Sequence, residues 1–256
     1  MKLADLWKIK IIVVLLLVGS SPLVWATTQI SAAKFVKANF DYKNGRYDEA
    51  IKSYEEILAG GRASGALYYN LGNAYFQKNA LGKAILNYER ARRLIPRDPD
   101  RRANHQYALS LVKNPSDPGK RSWQNILDRS FDLFTLDELA LSLLVLIMMT
   151  GSLHLLFLYL RWTNRFRLLI FPLLIALIAG SGFFGKMKSQ EGLAVTVAET
   201  PAKFEPRQEA TIHFDLPEGN QVKVLKTDGV WVKIERPDGK EGWVPRETVA
   251  KIEQGP

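Results

Sequence analysis

The residues best suited to chemistry in this sequence are carboxamides set among aromatic rings. Phe35, Asn39 and Tyr42 recur thirty-four residues later as Tyr69, Asn73 and Phe76, and Asn70 joins the second set. A carboxamide can pair with both the N–H and the C=O of an extended peptide, and flanking rings offer apolar area at low entropy cost. That chemistry is recognition of a peptide or partner domain. A second reading stays open, in which Asn70 and Asn73 tie neighbouring helices together, since a buried amide must find partners in either case. Near the C-terminus Trp231 reads as core, whereas Trp243 reads equally as a ligand contact and as a brace beside Gly242.

Bond-making chemistry is poorly served. The chain has no cysteine, which removes disulfides, thiolate metal sites and a Cys nucleophile. His105, His154 and His213 fall in three different segments and no carboxylate pair stands in a recognisable frame, so neither catalytic residues nor metal ligands nor a cofactor are expected. His154 sits in an apolar block without an acidic companion, and a hydrogen bond to Ser or Thr is a more economical role than a proton relay. Residues 180–187, GSGFFGKM, nearly spell a phosphate-binding loop, but Met187 occupies the magnesium-binding Ser/Thr position and the stretch ends an apolar helix. The net charge of +9 is scattered among acids except beside apolar segments. Membrane topology uses such charge better than nucleic acid does.

The amides are positioned by repeated helix pairs. Ala50 and Ala84, Tyr54 and Tyr88, and Glu55 and Glu89 share the thirty-four-residue period, and the phrase at 65–96, GALYYNLGNAYFQKNALGKAILNYERARRLIP, resembles a tetratricopeptide (TPR) repeat. Tyr68 stands where such repeats carry Trp, followed by Leu71, Gly72, Tyr75, Ala84, Tyr88, Ala91 and Pro96. Gly72 opposite Ala84 allows close helix approach. An all-α TPR domain is expected over 31–113, with two repeats and a capping helix. The first pair breaks at Asn44-Gly45, where Gly takes a left-handed backbone without steric cost. Lys37 and Asp41 replace the usual Leu and Tyr, as suits the exposed face of a terminal repeat. In the capping helix Asp98 is the expected N-cap and Pro99 the first helical residue, with Ala103, Tyr107, Ala108 and Leu111 as its apolar face. The resemblance puts the first helix of each repeat on a concave face, which would carry Phe35, Asn39, Tyr42, Tyr69, Asn70, Asn73 and Phe76. In TPR domains that clamp a C-terminal carboxylate, the Asn positions matching Asn39 and Asn70 occur with Lys and Arg; here Phe35 and Asp100 stand at two of those basic places. That leaves general peptide or protein binding.

Three apolar blocks suggest a membrane protein. Residues 11–17, behind Lys2, Lys8 and Lys10, read with Val24, Trp25 and Ala26 as a secretory signal over 1–26, cleaved after Ala26; an uncleaved anchor is the alternative. A linker at 114–135 holds an amphipathic segment with Trp123, Ile126, Leu127, Phe131 and Phe134. Thr135 and Glu138 form a capping-box pattern, ahead of transmembrane helices expected at 139–160 and 168–185. The intervening loop, 161–167, carries Arg161, Arg165 and Arg167 and no acid. Such a loop stays in the cytoplasm, which returns both flanking regions to the periplasmic side of the inner (cytoplasmic) membrane. Thr150, Gly151, Ser152, Ala176, Gly180, Ser181 and Gly185 suit close packing within this hairpin or against another membrane protein.

From Gly192 onward the apolar period changes to alternation, with five short strands expected in AVTV, ATIHF, QVKVLK, VWVKIE and GWVP. A small all-β barrel over 192–253 follows, and residues 216–252 resemble bacterial SH3-like (SH3b) domains. The fold class is thus a multi-domain membrane protein: TPR helical repeat, two-helix transmembrane hairpin and SH3-like barrel. That order, with the repeat phrase, resembles the BatE type of Bacteroides aerotolerance (Bat) proteins. The resemblance implies a non-enzymatic membrane scaffold working with von Willebrand A-type membrane proteins and a MoxR-type ATPase, linked to stress tolerance. A peptidoglycan-binding or wall-sensing protein acting through the SH3b barrel is the alternative.

Overall fold

The computed structural model describes residues 22–113, 133–159 and 165–252. The apolar block at 11–17, the residues Trp123, Ile126, Leu127 and Phe131, and Arg161 lie outside the described residues. The chain divides into two compact units, Met1–Arg62 and Ala63–Pro256.

In the first unit, α1 (Pro22–Lys43) and α2 (Tyr47–Ala59) form one helix pair. α1 begins ahead of the expected cleavage point after Ala26. Ala38 and Ala50, both fully buried, let the helices approach, and Tyr54 and Ile57 complete the contact. Gly45 adopts φ 75°, as its place in the turn requires, and the Arg46 N–H reaches back to the Asp41 carbonyl. Asp41 departs from expectation. It is only 3% exposed and accepts hydrogen bonds from Lys37 and Arg46. The Lys37 bond, then that from Arg46, holds its carboxyl below the usual carboxylate range. An acid can replace an aromatic inside this turn because two cations arrive from within five residues of it.

The second unit begins with the other repeat. α3 (Gly65–Gln77) starts at Ser64, whose hydroxyl accepts the Leu67 N–H, and α4 (Leu81–Leu94) packs back against it. A Cβ on Gly72 would lie 2.7 Å from the Tyr88 ring and 3.3 Å from the Ala84 carbonyl, so the close approach needs glycine. Asn79, at φ 58°, fills the left-handed place that Gly45 holds thirty-four residues earlier. α5 (Pro99–Ser110) starts as expected, with Asp98 accepting the Arg101 N–H. Its buried face differs from the expected one. Arg101, His105, Ala108 and Val112 are buried, while Ala103 is exposed and Tyr107 and Leu111 are 60% and 47% exposed. Both stripes have helical spacing; the charged one turns inward because Glu89 of α4 awaits it.

Next come α6 (Leu136–Tyr159) and α7 (Arg165–Gln190). Thr135 and Glu138 exchange the two bonds of a capping box. Lys186 near the end of α7 donates to the Phe134 carbonyl before α6, so the packed pair is antiparallel. Among the described residues one stretch, Leu136–Leu156, is long and apolar enough to cross a membrane, with mean hydropathy 2.2. A Cβ on Gly151, Gly180 or Gly185 would meet nothing within 4 Å, so these glycines do not serve contact between α6 and α7. The His154 imidazole makes no hydrogen bond among the described residues, and GSGFFGKM lies inside α7 with no strand or loop before it.

The C-terminal region is one antiparallel sheet of seven strands in the order β3-β2-β6-β5-β4-β1-β7. They are β1 (Leu193–Thr196), β2 (Thr200–Lys203), β3 (Ile212–Leu216), β4 (Gln221–Asp228), β5 (Trp231–Glu235), β6 (Glu241–Pro245) and β7 (Val249–Lys251). Leu216 from one margin and Ala194 from near the other share a core with Ala202, Val222, Val232, Ile234 and Val244, which requires the sheet to curl upon itself. Seven strands replace the expected five. β2 was hidden by Pro201, which has no N–H to donate, yet only Lys203 of β2 pairs with β6. β7 follows a 3-10 turn and is too short to alternate visibly.

The repeat and the sheet are joined by direct packing. Thr196, fully buried, donates to the Pro217 carbonyl and accepts the Asn220 N–H, fixing the β3–β4 turn. α4 starts on this turn: a Cβ on Gly82 would fall 2.9 Å from Val197 Cα, and one on Gly219 (φ 83°) 2.7 Å from Ile85. Glu218 accepts the Gly82 N–H, and Arg90 donates to the Lys251 carbonyl. The other end of α4 holds the helix pair, with Arg93 on the Gln190 carbonyl and Arg97 on Glu138 and the Leu133 carbonyl.

Candidate functional site

In each repeat the amide and the aromatic residue before it contact the same tyrosine of the second helix. Tyr54 Oη donates to Asn39 Oδ1 at 2.7 Å, and Tyr88 Oη donates to Asn73 Oδ1 at 2.7 Å. Phe35 packs on Tyr54 at 6.0 Å between ring centroids, and Tyr69 on Tyr88 at 6.2 Å. The thirty-four-residue period is thus a repeated hydrogen bond as well as a repeated spelling. Tyr42 rests on Tyr47 across the first turn.

On α3 the half-buried residues Tyr69, Asn70, Asn73 and Phe76 form one stripe, extended by α5. Asn104 donates to Tyr69 Oη at 2.9 Å and to Asn73 Oδ1 at 3.0 Å, and Phe76 meets Tyr107 at 5.7 Å. Asn73 Oδ1 therefore accepts two bonds, which fixes the amide plane. Its NH2 group has no protein partner among the described residues. Both suggested roles meet in this residue: the carbonyl ties α3 to α4 and α5, and the nitrogen keeps two oriented donors. Asn104 and Tyr107 were missed as site residues. The signal was available, because the period that carries Asn39 to Asn73 also carries Asn70 to Asn104 and Asn73 to Tyr107.

A charged cluster lies behind this face. Glu89 is 2% exposed; it accepts from Arg92 Nε and Gln221 Nε2, the latter on β4. His105 Nε2 stands 3.0 Å from Glu89 Oε1, near enough for charge pairing but outside hydrogen-bond geometry. Burial pushes the Glu89 carboxyl up, yet the Arg92 charge and the nearby His105 outweigh it and hold the group well below the usual carboxylate range. The cluster joins α4, α5 and the sheet.

Trp243 is half-buried on β6, in register with Lys203 on one side and Lys233 on the other, and no contact joins it to the α3 face among the described residues. Trp231 is 8% exposed, with Lys203 Nζ 5.4 Å from its ring centroid. No group of His, Asp and Glu among the described residues is arranged to hold a metal ion.

With this geometry in view, residues 35–99 match the family model Tetratricopeptide repeat and residues 204–250 match the family model Bacterial SH3 domain. The chain thus contains a tetratricopeptide-repeat region and a bacterial SH3 region. No curated protein matches the chain.

Proposed function

We propose that this protein is a non-enzymatic scaffold, anchored in the inner membrane by α6 and α7 as a two-pass hairpin, with the TPR and SH3 regions on the periplasmic side. The carrying observation is Asn73, whose carbonyl is pinned by Tyr88 and Asn104 while its amide donors remain open beside Tyr69 and Phe76. A donor held in place before binding loses little entropy on capturing a peptide carbonyl. The first repeat has the same residue types in Phe35, Asn39 and Tyr42, with Asn39 Oδ1 held by Tyr54. The apolar span Leu136–Leu156 supports anchoring. The resemblance to BatE-type proteins supports placement beside von Willebrand A-type membrane proteins in a Bat/MoxR-associated complex linked to stress tolerance.

Asn73→Asp keeps the acceptor for Tyr88 and Asn104 and removes the donors, so it tests binding with little loss of packing. Crosslinking in native membranes is expected to recover von Willebrand A-type partners. Asn73→Asp is expected to lower that recovery roughly tenfold with little change in melting temperature, as loss of its two neutral donors allows. Undiminished recovery would refute the face. Half-buried Trp243 between two lysines favours a second reading, cell-wall binding through the SH3 region, which sedimentation with peptidoglycan tests directly.

A further inference from the structure

On the sheet, away from the α3 face, a cleft of about 280 Å³ opens between β4, β5 and the chain from the 3-10 turn (Arg246–Thr248) into β7. Its lining is Val224, Thr227, Val232, Arg246, Val249 and Lys251. Three valines make an apolar floor, Thr227 adds a hydroxyl, and the two charged lining residues are both cations. The Arg246 guanidinium and the Lys251 ammonium have no hydrogen-bond or ion-pair partner among the described residues, and both side chains are exposed. Their main chains are held: the Arg246 N–H bonds to the Val230 carbonyl at 2.8 Å, and the Lys251 carbonyl accepts Arg90 at 3.0 Å.

We propose that this cleft binds the C-terminal α-carboxylate of a peptide whose last residue is aliphatic. Two unneutralised cations beside valines call for a ligand that presents an anion and an apolar group within one residue of each other, which a chain terminus does. The planar Arg246 fork matches a carboxylate bidentately, and Lys251 adds a second, movable donor. The volume is at the lower limit of ligand pockets, about 300 Å³, and so admits the end of a chain rather than a folded surface. The site rests on the reading of the SH3 region as a contact module, but it is independent of the α3 face.

The test is fluorescence anisotropy with the full chain in detergent and a labelled hexapeptide ending in Ala-Val, against its C-terminal amide. Binding by the free acid, weakened roughly tenfold or more by amidation or by R246Q/K251Q, is expected, since a lost charge-assisted pair has that effect. Arg246→Lys should retain part of the affinity. Equal binding of acid and amide, equal binding by R246Q/K251Q, or failure to bind the acid at millimolar concentration overturns the proposal. So does equal competition by inorganic phosphate, or binding of a purified muropeptide in place of the hexapeptide. Asn73→Asp is expected to leave cleft binding intact. Failure of the cleft with partner recovery preserved therefore removes this site and leaves the scaffold standing.

Discussion

Glu89→Ala is expected to destabilise the second unit by about 3 kcal/mol, the cost typical of removing one member of a buried ion pair. The buried carboxylate accepts from the half-buried Arg92 and Gln221 and lies beside buried His105, so its loss leaves two donors without an acceptor and cuts a bond between α4 and β4. Glu89→Gln separates charge from shape. Its carbonyl can still accept from Gln221, but it offers no charge to Arg92. The pH dependence has a definite sign. The folded carboxyl lies below its ordinary value of 4.5, so its stabilisation is complete above about pH 4.5 and declines as acidification approaches the folded value. Wild type should therefore lose stability on going from pH 6 to pH 3 more steeply than Glu89→Gln. Asp41, also depressed, contributes a slope common to both proteins. Thermal unfolding of the full chain at several pH values reads the difference, and parallel curves for the two proteins would show that Glu89 is not held ionised by its neighbours.

The second large effect is expected at Gly82. A Cβ there would press on the Thr196 carbonyl and lie 2.9 Å from Val197 Cα, both main-chain atoms of the sheet and unable to rotate aside. Gly82→Ala should cost about 2 kcal/mol and Gly82→Val about 3 kcal/mol or more, as overpacking against fixed backbone does. The damage should appear as undocking. Amide exchange is expected to quicken at Gly219, whose N–H bonds to the Thr196 carbonyl, and in the first turn of α4. Amides joining β5 to β6 should keep their protection, since that ladder is remote from the contact. Unchanged exchange at Gly219 in Gly82→Val would show that the repeat does not rest on the sheet as described.

Much of the local structure was legible from residue order. A period of thirty-four located two helix pairs because each pair is a unit that repeats its own internal bonds, Asn39 with Tyr54 and Asn73 with Tyr88. The Asp98 cap, the Thr135–Glu138 capping box and the Asn44-Gly45 turn are interactions among residues within a few positions of one another. Such contacts are written in short words, so short words predict them. The buried face of α5 was not legible. Hydrophobic periodicity favoured Tyr107 and Leu111, whereas the fold buried Arg101 and His105, because an inward-facing charge depends on a counter-charge from another helix. Strand β2 was obscured in the same way: Pro201 argues against a strand until its pairing neighbours are known.

Glu55 and Glu89 mark the division most clearly. They occupy equivalent places in the two repeats, and the sequence by itself determined that equivalence. Glu55 is exposed, while Glu89 is buried against Arg92, His105 and Gln221. Only tertiary structure decided between these fates, because the partner on β4 stands 132 residues further along the chain. Desolvating a carboxylate is costly wherever no cation or donor compensates it, and whether one does depends on how the second repeat docks on the sheet.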